Sequence, residues 1–202
     1  MNKNLYACVS LMALLLLGVL PAAGQAPAAG TAQPKSAFAG KIDLGLNFTA
    51  TIDKVATLPT SSRFVLAGGS VDGLYKFTPQ WGLVAEVGGS TASNFLPGMN
   101  LNELTFAAGP RYTCATKGKF SLYAQSLFGL VHGFNGTFPD PSGAKTSANG
   151  LLVEVGGGVT YAINKHYALR LAQADYVLTK LPNASGDTQH SPRFSAGVVA
   201  HF

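Results

Sequence analysis

Beyond its first twenty residues this sequence has no long apolar run. None of the later stretches reaches the roughly 18 residues a spanning helix needs, which excludes helical membrane spans from the rest of the chain. Charge is scarce too. Asp, Glu, Lys and Arg make up 11% of the residues, about half the ~25% of an ordinary soluble domain. The net charge of +5 is dispersed, with no Lys/Arg run and no basic patch interleaved with aromatics, so no nucleic-acid partner is expected. Only two cysteines occur, Cys8 and Cys114, too few for a disulfide scaffold. Cys8 falls in a leader described below, and once that is removed Cys114 can form no intramolecular bridge. Metal-ligand spacing, a phosphate-cradling loop and a nucleophile elbow are all missing. Gly156-Gly-Gly158 lies within a strand pattern and precedes no helix, so it is not a dinucleotide fingerprint. The sequence therefore assigns no catalytic residue, no cofactor and no metal.

Glycine and alternation are what the chain does have. Its 202 residues include 24 glycines and its mean hydropathy is positive, a composition suited to a membrane protein or a Gly-rich β protein. The N-terminus carries the marks of a targeting segment: Lys3, an apolar run from Leu5 to Leu20, then small residues at Pro21-Ala-Ala-Gly24. Residues 1–24 are read as a signal peptide cleaved after Gly24, and Cys8 lies too early in the run to be a lipoprotein cysteine. Residues 25–40, rich in Ala, Pro, Gly and Ser, are read as a disordered linker.

From Lys41 a period of two begins. Ile42, Leu44, Leu46, Phe48, Ala50 and Ile52 alternate with Asp43, Gly45, Asn47, Thr49 and Thr51, as in a strand with one apolar and one polar face. Similar patterns follow at 65–77, 81–90, 103–114, 119–131, 150–162, 167–179 and 192–202. The 119–131 segment has an ambiguous facing, because Ser126 interrupts the phase of Phe120, Leu122, Phe128 and Leu130. Pro110 falls on an apolar face and hints at a bulge. The last strand ends on Phe202, with Phe194, Ala196, Val198 and Ala200 on the same apolar phase and Arg193 and His201 on the other.

That makes eight strands, joined alternately by long connections (53–64, 91–102, 133–149, 180–191) and short turns. The expected fold class is all-β: an eight-stranded antiparallel transmembrane up-and-down barrel over residues 41–202, with short periplasmic turns and longer outer loops. Aromatics near strand ends (Phe77, Trp81, Tyr112, Phe120, Tyr161, Tyr167, Tyr176, Phe202) fit interfacial girdles. A soluble ligand-binding barrel would have the opposite facing, apolar in and charges out. The charges argue against it. Asp43, Asp72, Lys76, Glu86, Glu103, Arg111, Glu154, Arg170, Asp175 and Arg193 all lie in strands, nearly all on the polar phase, where a narrow lumen would let acid meet base. Arg170 and Asp175 differ by an odd number, so both can point inward only across a one-residue bulge near Ala172.

Gly156-Gly-Gly-Val-Thr-Tyr161, Tyr167-Ala-Leu-Arg-Leu171, Asp175-Tyr176 and the terminal Phe-Ser-Ala-Gly-Val-Val-Ala-His-Phe202 resemble the OmpA/OmpX-like family of eight-stranded outer-membrane barrels. The resemblance implies outer-membrane lipid as surroundings and the outer-membrane assembly machinery as a partner. It also implies that Phe202, with Phe194, Ala196, Val198 and Ala200, is the signal that machinery reads. No peptidoglycan-binding segment is expected after the barrel. Eight strands leave a lumen just filled by side chains, so a non-conducting protein with a structural or surface-interaction (adhesion-like) role is expected, with any extracellular partner met by the long loops. Phe95, Leu96, Phe134 and Phe138 are the apolar candidates there. Two other readings stay open: a lipid-A-modifying barrel enzyme, which the isolated His132, His166, His190 and His201 support poorly, and the soluble periplasmic barrel.

Overall fold

A computed structural model describes residues 41–54, 63–96, 99–139, 143–182 and 188–202. The signal-peptide and linker assignments over 1–40 lie outside these residues. Eight strands occur in chain order: β1 (Ile42–Lys54), β2 (Arg63–Lys76), β3 (Trp81–Leu96), β4 (Met99–Lys117), β5 (Phe120–Phe138), β6 (Lys145–Ala162), β7 (Tyr167–Thr179) and β8 (Gln189–His201). Each pairs antiparallel with the next, and β8 returns to β1 to close a barrel. Closure removes the free edges and lets every strand satisfy its backbone groups without water, as a hydrocarbon environment demands.

Alternation sets the facing. On β1, Leu44, Leu46 and Phe48 stand 48%, 60% and 65% exposed, whereas Asp43, Asn47 and Thr49 are buried. The apolar face is therefore outward and the polar face lines the lumen, the reverse of a soluble barrel. β5 resolves the same way. Ser121, Tyr123, Gln125 and Leu127 are buried inside and Phe120, Phe128 and Leu130 are exposed, with Ser126 a small residue on the outer phase.

Three tight turns share one end with the start of β1 and the end of β8. Thr78 Oγ1 accepts the amides of Gln80 and Trp81 at 3.3 and 2.9 Å. Asn164 Oδ1 accepts those of His166 and Tyr167, both at 2.8 Å. The third turn places Gly118 at φ 60°, where a side chain would be strained. Around this end runs an aromatic ring, with Trp81 and Tyr112 centroids 4.8 Å apart, Phe120 and Tyr161 5.0 Å apart, and Tyr75, Phe77, Tyr167 and Phe202 exposed beside them. Tyr176 lies instead toward the other end of β7, where its hydroxyl meets His190 Nδ1 at 2.7 Å.

The opposite end departs from the expected long loops. β3 continues to Leu96 and β4 starts at Met99, so most of 91–102 is strand; β5 and β6 likewise absorb most of 133–149. Their Ser, Thr, Asn and Gly residues read as loop because no apolar face recurs, but a hairpin outside the membrane needs only backbone pairing. β4 and β5 are 19 residues each, well above the ~9–11 required to cross.

Register shifts mark two bulges of interest. Val159 pairs with Ala172 and Thr160 with Arg170, leaving Leu171 unpaired, so Leu171 and Ala172 both face out. In β4 the shift comes at Cys114, not at Pro110, which holds its place opposite Leu83. A proline lacks only a ladder donor and need not alter the register.

Candidate functional site

The bulge at Leu171 delivers the central residue of the lumen. With two consecutive residues turned outward, Arg170, Gln173 and Asp175 all point inward from β7. Arg170 is 1% exposed. Its guanidinium donates from Nη1 to Asp72 Oδ1 at 2.6 Å and from Nη2 to Asp72 Oδ2 at 3.0 Å, a bidentate pair, and Nη1 also donates to Asn47 Oδ1 at 2.8 Å. Asn47 in turn donates to Asp72 at 2.8 Å.

From Arg170 the layer spreads across the barrel. Arg111 lies 3.6 Å from Asp72 and donates twice to Gln125 Oε1, at 3.0 and 2.7 Å. Tyr123 sits between the two arginines, its ring centroid 4.4 Å from Arg111 Cζ and 5.8 Å from Arg170 Cζ. Gln173 donates to Asp175 at 2.7 Å. Arg193 Nη2 gathers three carboxylates: Glu86 at 3.0 Å, Glu154, and Asp175 at 3.7 Å. Asn47, Asp72, Glu86, Arg111, Gln125, Glu154, Arg170 and Arg193 come one from each of β1 to β8, so the network is a complete cross-section of the barrel. Glu154 Oε1 and the Nε atoms of Arg170 and Arg193 are buried without hydrogen-bond partners among the described residues.

Lys76 and Asp43 form a second, smaller group at the turn end, 2.7 Å apart, with His201 Nδ1 2.8 Å from Asp43. Of the ten charged residues predicted to share the lumen, Glu103 alone joins neither group. It lies high on β4 opposite Ser90 and Gly133 and has no basic partner among the described residues. Alternation gave its facing correctly but says nothing about height, and height separates it from the arginines. Asn47, Tyr123, Gln125 and Gln173 escaped a search that counted only charges. Their signal was their place on the same phase as the charges.

Toward the long-strand end the network is capped by apolar side chains. Leu127, Leu152 and Val177 lie two residues beyond Gln125, Glu154 and Asp175 and cluster with Val131, Leu181 and Phe138, all buried. Phe138 was a loop-contact candidate; it packs into the barrel mouth, while Phe134 stacks on His132 outside at 5.8 Å. The side chains of Phe95 and Leu96 lie outside the described residues. A vestibule of about 290 Å³ opens at the turn end, a void of about 30 Å³ lies beyond the network, and a third space of about 300 Å³ lies higher up beside Ser90, Glu103 and Phe134.

Above the wall the hairpins run on past the pairing that joins them to their neighbours, β1–β2 as far as Lys54 and Arg63. β2–β3 pairing stops at Ala67 and Thr91, and β6–β7 pairing stops at Leu152 and Thr179. β3–β4 pairing runs on to Leu96 and Met99, and β5–β6 pairing to Phe138 and Lys145. β4–β5 pairing stops at Asn102 and Phe134, level with the end of β2–β3 pairing, so beyond it β3–β4 and β5–β6 stand clear of the barrel as two separate hairpins. Among the described residues no group of three or more His, Cys, Asp and Glu side chains is placed to hold a metal ion.

The family model described as "Outer membrane protein beta-barrel domain" matches residues 12–202. The structure is similar to that of the attachment invasion locus protein Ail of Yersinia pestis, with a TM-score of 0.54 and 16% identity over 81% of this chain and 99% of that one. It is also similar to Neisserial surface protein A, with a TM-score of 0.61 and 15% identity over 80% of this chain and 97% of that one. At such identities the likeness is one of fold. No curated protein matches the sequence.

Proposed function

The chain belongs to the outer-membrane β-barrel family and resides in the outer membrane, and we propose that it serves there as a non-conducting, non-catalytic scaffold presenting projecting β-hairpins to an extracellular partner. The observation that carries this reading is the pair of hairpins, β3–β4 and β5–β6, that run on beyond the last pairs of β2–β3, β4–β5 and β6–β7 and leave their strand edges unpaired among the described residues. Unpaired edge amides and carbonyls are a template for a partner strand, with main-chain hydrogen bonds supplying affinity. The short turns lie at the same end as the start of β1 and the end of β8, which supports a periplasmic setting for that end and a cell-surface setting for the hairpins. The mid-lumen network, which draws a buried side chain from every strand, and the buried apolar cap above it support a closed lumen.

The test shortens the hairpins without touching the wall. Ala92 faces Leu101 and Phe134 faces Ser147, so replacing 93–100 and 135–146 each by a two-residue turn keeps the remaining pairs in register. Bacteria carrying this variant should adhere to matrix-coated surfaces at least tenfold less than those with the parent chain, with the folded, heat-modifiable band unchanged. Equal adhesion would remove the surface-contact role. Nanosiemens steps in planar bilayers would refute the closed lumen, and altered lipid A in a strain carrying the gene would favour the enzyme reading.

A further inference from the structure

The three periplasmic-end turns carry a second pattern, independent of the lumen and of the projecting hairpins. Lys117 and Lys119 flank Gly118, Lys165 lies in the turn between β6 and β7, and Lys41 precedes β1; all four are exposed. No Asp or Glu occurs in residues 77–80, 117–119 or 163–166. Asp43, the acidic residue closest to this rim, points into the lumen and is taken by Lys76 and His201.

Position gives the pattern its meaning. Lys119 directly precedes the girdle residue Phe120, and its Nζ lies 5.7 Å from the ring centroid of Tyr161. Lys165 stands two residues before Tyr167, and Lys41 one before Ile42. Interfacial aromatics sit at the headgroup boundary, so lysines a residue or a turn beyond them, on flexible stems that can extend along the surface, reach the level of lipid phosphate. From this geometry we infer that the periplasmic rim is a binding collar for anionic phospholipid headgroups of the inner leaflet. Each basic side chain beside an anionic bilayer is drawn to the negative charge at its surface. Three or four on one rim enrich anionic lipid in the first shell by about threefold or more over the bulk.

The single tryptophan makes this measurable, because Trp81 stands in the same girdle, packed on Tyr112. The full chain is refolded into phosphatidylcholine vesicles containing about one-fifth phosphatidylglycerol, with bromine placed on the acyl chains of one lipid or the other. Brominated phosphatidylglycerol should quench Trp81 at least threefold more than its bulk share predicts. The excess should fall to nothing in 0.5 M salt and in the variant K117S/K119S/K165S. A Trp81→Phe, Phe120→Trp chain, with the reporter beside Lys119, should show the larger excess. Quenching proportional to bulk composition at both reporter positions would overturn the inference. So would an excess that survives in the triple variant while the heat-modifiable band shows it folded. Tight binding of isolated peptidoglycan by the rim without lipid selectivity would assign the collar to that polymer instead.

Discussion

Arg193→Met is the sharpest probe of the lumen. The change roughly preserves side-chain length and removes the one base that Glu86, Glu154 and Asp175 share. All four residues are at most 5% exposed, so bulk solvent screens little. At an effective dielectric near 20, a unit charge pair at about 4 Å interacts by about 4 kcal/mol, most of which only offsets desolvation. Removing the base strands that desolvation cost. The expected loss is therefore about 3–5 kcal/mol, the range for breaking a buried pair from one side. Neutralising the stranded acids should reverse it, because a buried pair replaced as a unit is close to neutral; R193M/E86Q/E154Q should regain at least half the loss. The assay is urea unfolding in lipid vesicles, followed by Trp81 emission and by the heat-modifiable band. A loss below about 1 kcal/mol, or a triple variant no better than R193M, would refute the claim that the layer is held by these contacts.

Three further outcomes follow from the same geometry. Glu103→Gln should change stability by no more than about 0.5 kcal/mol, as substitutions away from charge networks do; a loss like that of R193M would place Glu103 in the network after all. At Gly158 a Cβ would come within 2.6 Å of the Tyr123 hydroxyl and 2.7 Å of the Ala172 carbonyl oxygen. Gly158→Val should therefore cost about 1–3 kcal/mol by overpacking, and an unchanged urea midpoint would contradict that. Deleting Phe202 removes its mutual hydrogen bonds with Ile42, at 2.8 and 3.3 Å. That is worth about 1–2 kcal/mol in vitro, whereas outer-membrane incorporation in cells should fall at least tenfold if Phe202 is the assembly signal. Equal losses in both assays would reduce Phe202 to a seam residue.

Most of the barrel was legible because a strand with lipid on one side and a lumen on the other must alternate, and Leu44, Leu46 and Phe48 do so without error. The Arg170–Asp175 mismatch even located a bulge, since an inward-facing pair at odd spacing has no other solution. Legibility failed where the physics is not one of alternation. Ser, Thr and Asn of the projecting hairpins have no buried face to announce them, so their strands read as loops. The inner apolar residues Leu127 and Leu152 broke the rule that the lumen is polar, because the cap of a closed barrel has no water to meet. Glu103 failed on a third coordinate, height along the barrel, which depends on the shear of all eight strands and which no single strand encodes.

The layer at mid-lumen has a kinetic meaning as well. Its ties join strands far apart in the chain: Asp72 of β2 to Arg170 of β7, Glu86 of β3 to Arg193 of β8, and Asn47 of β1 to Arg170 across 123 positions. None of them can form until the first and last hairpins have come together, so they are absent from any partly closed sheet. Interactions made only after the barrier raise the cost of leaving the native state without hastening arrival. The arginines thus act as a latch: a barrel deprived of them should assemble at a nearly unchanged rate and come apart much sooner.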